Sequence, residues 1–383
     1  MVVYVAFYFL IDANALRYPY LLTPEHNSNV AEAAAILHGR LELEFRTQDT
    51  ALFEGKAYNV YPPMFTLISL VALKWSPEGV HLQVLFLLTV PLPALAYLLF
   101  RRRTKPVWLA VVLTLGYLFG TSMLPVVNQA LAKGDTYHVD HLLSQIGLLI
   151  FLLDYFGRRR IWLGGIGLVI AAWSRQLTAA YLIPLVFAAV AGRNGAARWY
   201  RTGLAVLCAA VMAALPMTLN TLKFGNPLDT GYRYVYAGLG TPFADKTKRS
   251  GLFSLRYLPR NFYYMNLGFP TPESVNGIVR FKANPSGTGI WWTTPLLLYL
   301  WVEVRRLWAD GALRWLLVSA AIVVAGVLLY HATGWLQWGY NRFSLDYLVV
   351  LLAVLAPGCD GLRRRVLTPV FTAWSLWYFR WAI

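Results

Sequence analysis

The chain has 383 residues, of which 58% are hydrophobic and 14% charged, with a mean hydropathy of +0.50. Soluble domains are about half apolar and about a quarter charged, so this composition excludes an ordinary water-soluble enzyme and points to an all-α polytopic membrane protein. The formal charge of +16 is no nucleic-acid signature, because sixteen of the 34 basic residues sit in five short clusters at 101–105, 158–160, 193–201, 305–314 and 363–365. Each cluster follows an apolar run, and short loops rich in Lys and Arg mark the cytoplasmic side. Fifteen Trp and 23 Tyr suit a chain with two membrane interfaces. The two cysteines, Cys208 and Cys359, give neither a disulfide framework nor a metal signature.

Taken in order, residues 2–11 are apolar but too short to cross a bilayer, which needs about 20 residues. Continuing to residue 22 crosses Asp12, Asn14 and Arg17. This is read either as a span with a polar outer end or as a span that the sequence enters partway through; a signal peptide fits less well, since no basic stretch precedes the apolar core. Residues 25–63 form the polar outlier of an apolar chain. A short amphipathic helix at 30–38 leads into a polar link with Asp49, then Gly55, Lys56, Tyr58 and the Tyr61-Pro62-Pro63 turn.

Residues 62–75 are apolar, yet parity argues against a second span there. The runs 82–100, 106–127, 138–156, 161–173, 177–191 and 202–222 put every basic cluster on one side. If that side is cytoplasmic, 82–100 runs from outside to inside, and 62–75 becomes a juxtamembrane or re-entrant helix. A second large polar stretch, 223–288, is rich in turn residues, with nine basic residues against three acidic ones. Four further runs, 289–304, 312–331, 343–357 and 366–381, bring the expectation to about eleven spans. One integral membrane domain covers 1–383, comprising a first outer loop at 12–81, core spans at 82–222, a second outer loop at 223–288 and C-terminal spans at 289–383.

Ionisable groups near membrane depth are costly, so they are functional candidates. On the outer face, Asp49 and Glu25 are carboxylates suited to general-base work, set against simple solvation. Arg175, alone with Ser174 and Gln176 between two apolar runs, reads equally as a phosphate clamp or a snorkelling interface arginine. Arg342 shares that ambiguity, with Asp346 one helical turn on as its structural partner. His138 and His141 with Asp135 and Asp140 offer cation ligands at helical spacing, against a solvated helix start; no metal set is assigned and a divalent cation is left open. Asp154, Glu303, Asp310 and His331 read as structural. No nucleotide-binding motif is present. An activated substrate at an outward site would therefore arrive attached to lipid.

The order of these features resembles the C-type membrane glycosyltransferases, the superfamily of the protein O-mannosyltransferases and the aminoarabinose transferase, and most of all its bacterial family-39-like members. The resemblance rests on Gly39, Asp49, Gly55-Lys56-Ala57-Tyr58 and Tyr61-Pro62-Pro63 in the first loop. It continues in the turn Phe224-Gly225-Asn226-Pro227-Leu228-Asp229-Thr230-Gly231-Tyr232, the stretch 289–295, and a late motif from Gly334 to Asp346 that includes Arg342. It implies inverting transfer of a sugar from a polyprenyl-phosphate donor to a glycan, lipid or protein acceptor. The site would face outward from a multi-pass protein of the plasma (inner) membrane. Asp49, then Glu25, would serve as base; Lys56, Arg175 and Arg342 would hold the donor phosphate; His26, Tyr58, Asp135, His138 and Asp140 are further outer-face candidates. Two departures stand out: the family's acidic pair is absent, with Glu25-His26 near its place, and Tyr61 stands where a lysine often precedes the two prolines. A transporter or flippase for lipid-linked sugars, or a non-catalytic member of the fold, are the rival readings.

Overall fold

Apolar runs bounded by arginines, glycines and prolines fold as helices, since a backbone in lipid must satisfy its own hydrogen bonds. The computed structural model describes residues 1–11, 21–47, 49–191, 195–235, 242–275, 277–282, 284, 287–332 and 341–382. Among the described residues five helices are long and apolar enough to cross a membrane: Leu82–Arg103, Thr136–Tyr155, Ala196–Phe224, Gly311–Leu329 and Arg342–Asp360. A sixth crossing arises if Val107–Phe119 and Met123–Lys133, bent by 52°, count as one. The bend has a local cause: Thr121 Oγ1 donates to the Tyr117 carbonyl at 2.6 Å and accepts from the Met123 N–H at 3.1 Å, replacing regular helix bonds. The chain is a multi-pass membrane protein.

Eleven apolar runs thus become fewer long helices. The runs at 161–173 and 177–191 fold as Trp162–Ser174 and Gln176–Val190, each shorter than a bilayer crossing and separated only by Arg175. The run at 289–304 breaks before Pro295 into Ile290–Thr293, Pro295–Leu298 and Tyr299–Ala309, because proline offers no N–H to continue the ladder. The last run begins earlier than the apolar pattern, as Leu362–Trp377, with its basic cluster inside the helix. Residues 12–20 of the first run lie outside the described residues.

The helices cross closely where side chains vanish. A Cβ on Gly147 would fall 2.4 Å from the Gly167 carbonyl oxygen, so Thr136–Tyr155 and Trp162–Ser174 approach backbone to backbone. The basic clusters gather at one end of the bundle. There Arg102 donates to the Leu153 carbonyl at 2.5 Å and Arg103 to that of Ala353 at 3.0 Å. Tyr155 reaches the Ala312 carbonyl at 2.8 Å and Arg201 that of Ala188 at 2.6 Å, while Glu303 is held between Arg306 and Arg364. Asp310 caps Gly311–Leu329 through the N–H groups of Ala312 and Leu313. The structural readings of Glu303, Asp310 and Asp154, which accepts from the Arg160 N–H at 3.0 Å, agree with this end of the molecule.

The first polar segment is built over the opposite end. Asn27 opens the helix Ser28–Leu37 by accepting from the Asn29 and Val30 N–H groups at 3.0 and 3.2 Å. The link after it contains a hairpin, Thr50–Phe53 against Lys56–Asn59, turned at Glu54 and Gly55 with φ of 50° and 77°. Two successive positive φ values are what a two-residue hairpin turn of matching twist requires. The apolar stretch after Tyr61-Pro62-Pro63 is a ten-residue helix, Met64–Leu73.

This segment locks onto the second polar stretch. Ala51, Tyr58, Val60, Phe224 and Val235 form one small core, with Phe224 edge-on to both Phe53 and Tyr58. Beneath it Lys223 pairs with the fully buried Glu32, whose other oxygen accepts from Asn59 at 2.8 Å and Thr66 at 2.7 Å. The second stretch itself is not turns alone: helical segments Tyr232–Val235, Pro242–Ser250 and Leu255–Tyr257 through Tyr263–Leu267 precede a hairpin, Thr271–Val275 with Ile278–Lys282.

Candidate active site

A cavity of about 140 Å³ opens at this end, lined by Arg175, Tyr232, Leu252, Phe253, Tyr330, Phe343 and neighbouring residues. Its parts come from well-separated places. Arg175 is the single residue between Trp162–Ser174 and Gln176–Val190; Tyr330 follows the end of Gly311–Leu329; Phe343 opens Arg342–Asp360. Tyr232 comes from the turn that packs on the first-loop hairpin.

Asp49 stands in the left-handed region with φ of 56° and accepts from the Tyr61 hydroxyl at 2.7 Å. Burial, and then the Asp49 charge beside it, push that hydroxyl well above its ordinary pKa, so Tyr61 is a permanent donor and Asp49 its acceptor. Tyr61, directly before Pro62-Pro63, thus orients the Asp49 carboxylate. The Asp49 charge reaches Tyr61, Tyr137, Tyr232 and Tyr330. Arg342 acts on Tyr61, Tyr137 and Tyr330 as well, and its guanidinium lies over the Tyr137 ring at 4.3 Å and the Phe343 ring at 5.1 Å. Asp49, Arg175 and Arg342 therefore share one electrostatic neighbourhood, although 126 and 293 positions separate the arginines from the carboxylate (175 less 49, and 342 less 49).

Asp346 is not the partner of Arg342. It takes Arg175, through Nε at 3.2 Å and Nη2 at 2.9 Å, and faces His141 Nδ1 at 3.5 Å. One helical turn made Arg342 the obvious candidate by sequence, but the start of Arg342–Asp360 turns Asp346 inward, where it is fully buried. Arg175 is accordingly neither a snorkelling residue nor a bare cation. Its plane also lies over the Phe343 ring at 4.9 Å.

The four helical-spacing candidates separate into different jobs. Asp135 faces His138 Nδ1 at 3.4 Å. His141 belongs to Asp346. Asp140 is 1% exposed, and among the described residues nothing donates to its Oδ1; the charges it meets are Arg175 and Arg342. Among the described residues no three His, Cys, Asp or Glu side chains are placed to hold a metal ion.

Other candidates fall away from the cavity. Glu25 and His26 are exposed, with His26 Nδ1 2.8 Å from Thr23 Oγ1. Lys56 sits at the hairpin tip, 3.8 Å from Glu42, with both side chains exposed. Tyr58 is a packing residue of the aromatic core. Residues 333–340, which carry most of the late motif, lie outside the described residues. Sequence reasoning took Tyr61 and Tyr232 only as motif positions and missed Tyr330 and the Glu32–Lys223 pair; the one signal for the pair was a carboxylate inside an otherwise alanine-rich helix.

Comparison with known proteins gives no match to any family, curated protein or solved structure.

Proposed function

We propose that this chain is an inverting glycosyltransferase that moves a sugar from a polyprenyl-phosphate donor to a cell-envelope acceptor on the outer side of the plasma membrane. The observation that supports this reading is that the charges of Asp49, Arg175 and Arg342 all act on Tyr330, which with Arg175 lines a cavity at the end of the bundle away from the basic clusters. A phosphate leaving group needs no proton, so one base and fixed cations suffice for the chemistry. Asp49, held by Tyr61, is the base; it takes the proton of an acceptor hydroxyl as that oxygen attacks the sugar carbon and the phosphate departs. Arg342, its plane fixed by two rings, neutralises the departing phosphate. Arg175 does so less directly, since Asp346 already engages it, and Glu25 and Lys56 play no part. The topology that goes with this function has eleven crossings, the shorter apolar helices included, with the basic clusters inside.

The test is to incubate the purified full chain with radiolabelled polyprenyl-phosphate sugars and follow sugar release to acceptor or water. Release is expected in the wild type, with a drop of about 100-fold or more in Asp49→Asn. Undiminished release in that variant removes Asp49 as base. Sugar lipid moved between leaflets without release indicates a transporter instead.

A further inference from the structure

The run Leu255–Tyr257, Leu258–Phe262 and Tyr263–Leu267 is one continuous helical rod carrying three distinct stripes. The first faces the protein: Tyr257, Asn261 and Met265, four residues apart, are buried. The second is apolar and open: Leu255 at 76% exposure, Leu258 and Phe262, extended by Phe269 just beyond the rod. The third is basic, with Arg256 and Arg260 exposed one turn apart, continuing the exposed Lys248 and Arg249 of Pro242–Ser250.

The depth of this rod is fixed by hydrogen bonds. Asn261 Nδ2 donates to the Leu328 carbonyl at 2.8 Å and to the Tyr330 carbonyl at 2.7 Å, closing the end of the candidate span Gly311–Leu329. A rod tied across the end of a membrane-spanning helix lies where hydrocarbon gives way to headgroups. An open apolar stripe at that level is covered by acyl chains, and arginines beside it meet phosphates. The rod also borders the cavity, since Leu252 and Phe253, immediately before it, form part of the cavity wall, and the Phe253 ring lies tilted against Tyr330 with centroids 5.3 Å apart.

We infer that residues 255–267 form an interfacial helix that docks the chain on an anionic glycerophospholipid surface, with Arg256 and Arg260 binding lipid phosphates at the rim of the cavity. Leu255, Leu258 and Phe262 insert among the upper acyl carbons, and the two arginines sit at headgroup level beside them. The inference needs only the membrane location and the rod's geometry; it stands or falls independently of the glycosyltransferase reading.

The test uses the full chain reconstituted in vesicles of phosphatidylcholine with and without phosphatidylglycerol. An environment-sensitive fluorophore is placed on Phe262→Cys in a Cys208→Ala/Cys359→Ala background, with Glu273→Cys on the neighbouring hairpin as the comparison site. The label at 262 is expected to be quenched by lipids spin-labelled high on the acyl chain and shielded from aqueous iodide, while that at 273 is open to iodide. Equal iodide quenching at both positions overturns the inference, as does shielding that persists in detergent through cross-links to a second copy of the chain. Native mass spectrometry then counts phosphatidylglycerol retained by the protein. Arg256→Gln with Arg260→Gln is expected to lower retention roughly tenfold. Unchanged retention in the double variant removes the phosphate role; a folded double variant is verified by an unaltered melting temperature.

Discussion

The two ends of the helical bundle use the same residue types for opposite purposes. At the basic end, arginines finish helices: Arg102, Arg103 and Arg201 donate to carbonyls near helix ends, and Arg364 and Arg306 clamp Glu303. Cations suit a helix C-terminus because the last carbonyls have no partner within the helix. At the cavity end, charge exceeds what helix closure needs. Arg175 and Asp346 pair across two helix ends, and Arg342 stacks on aromatic faces. Among the described residues nothing donates to Asp140 Oδ1, though the charges of both arginines act on it, and Asp49 is held by a phenol. Charge at the first end fastens; at the second it is stored.

That contrast breaks most sharply at the buried pairs. Asp346→Asn leaves Arg175 facing a neutral partner and is expected to destabilise the fold by about 3–5 kcal/mol, read as a lower melting temperature in detergent. Glu32→Gln should do the same for Lys223, whereas Glu32→Met combined with Lys223→Met recovers most of the loss, because a packed apolar pair leaves no buried charge. Full stability in either single variant would mean that these charges stay hydrated.

Gly147→Val tests the helix crossing that brings Asp140 and Arg175 together. Its side chain has no room against the Gly167 carbonyl, so a loss of about 1–3 kcal/mol is expected, with the proposed sugar release falling alongside it. Tyr61→Phe is milder. It removes the donor that orients Asp49, and the proposed transfer should slow by about tenfold, within the range of a misoriented base in the role proposed for Asp49. Its pH signature has a definite sign. The folded-state pKa of Tyr61 is raised, so its contribution is complete below the ordinary tyrosine value of 10 and is lost as pH rises past it. Wild type should therefore lose more stability above pH 10 than Tyr61→Phe does. Smallest of all, Arg102→Gln at the basic end should cost under about 1 kcal/mol and leave sugar release unchanged, since it removes only a carbonyl closure.

Sequence alone established the membrane character, the polar first loop and the clustering of basic residues, because composition and charge periodicity report burial in lipid directly. Asp49, Arg175 and Arg342 were legible as candidates for the same reason: an ionisable side chain beside an apolar run stands out. Span count was less legible, since breaks at Arg175, at Pro295 and at the Thr121 bend interrupt helices without interrupting hydrophobicity. Which charge meets which was not written in the chain at all. Asp346 lies one turn from Arg342 and binds Arg175; Lys223 reaches back to Glu32; Tyr58 packs rather than binds. Such pairings depend on how helix ends rotate and on which loops share a core, as Phe224 does with the first-loop hairpin. Local pattern determines where a helix runs and which residues are costly to bury, while only the packed bundle decides the partner that makes each of them stable.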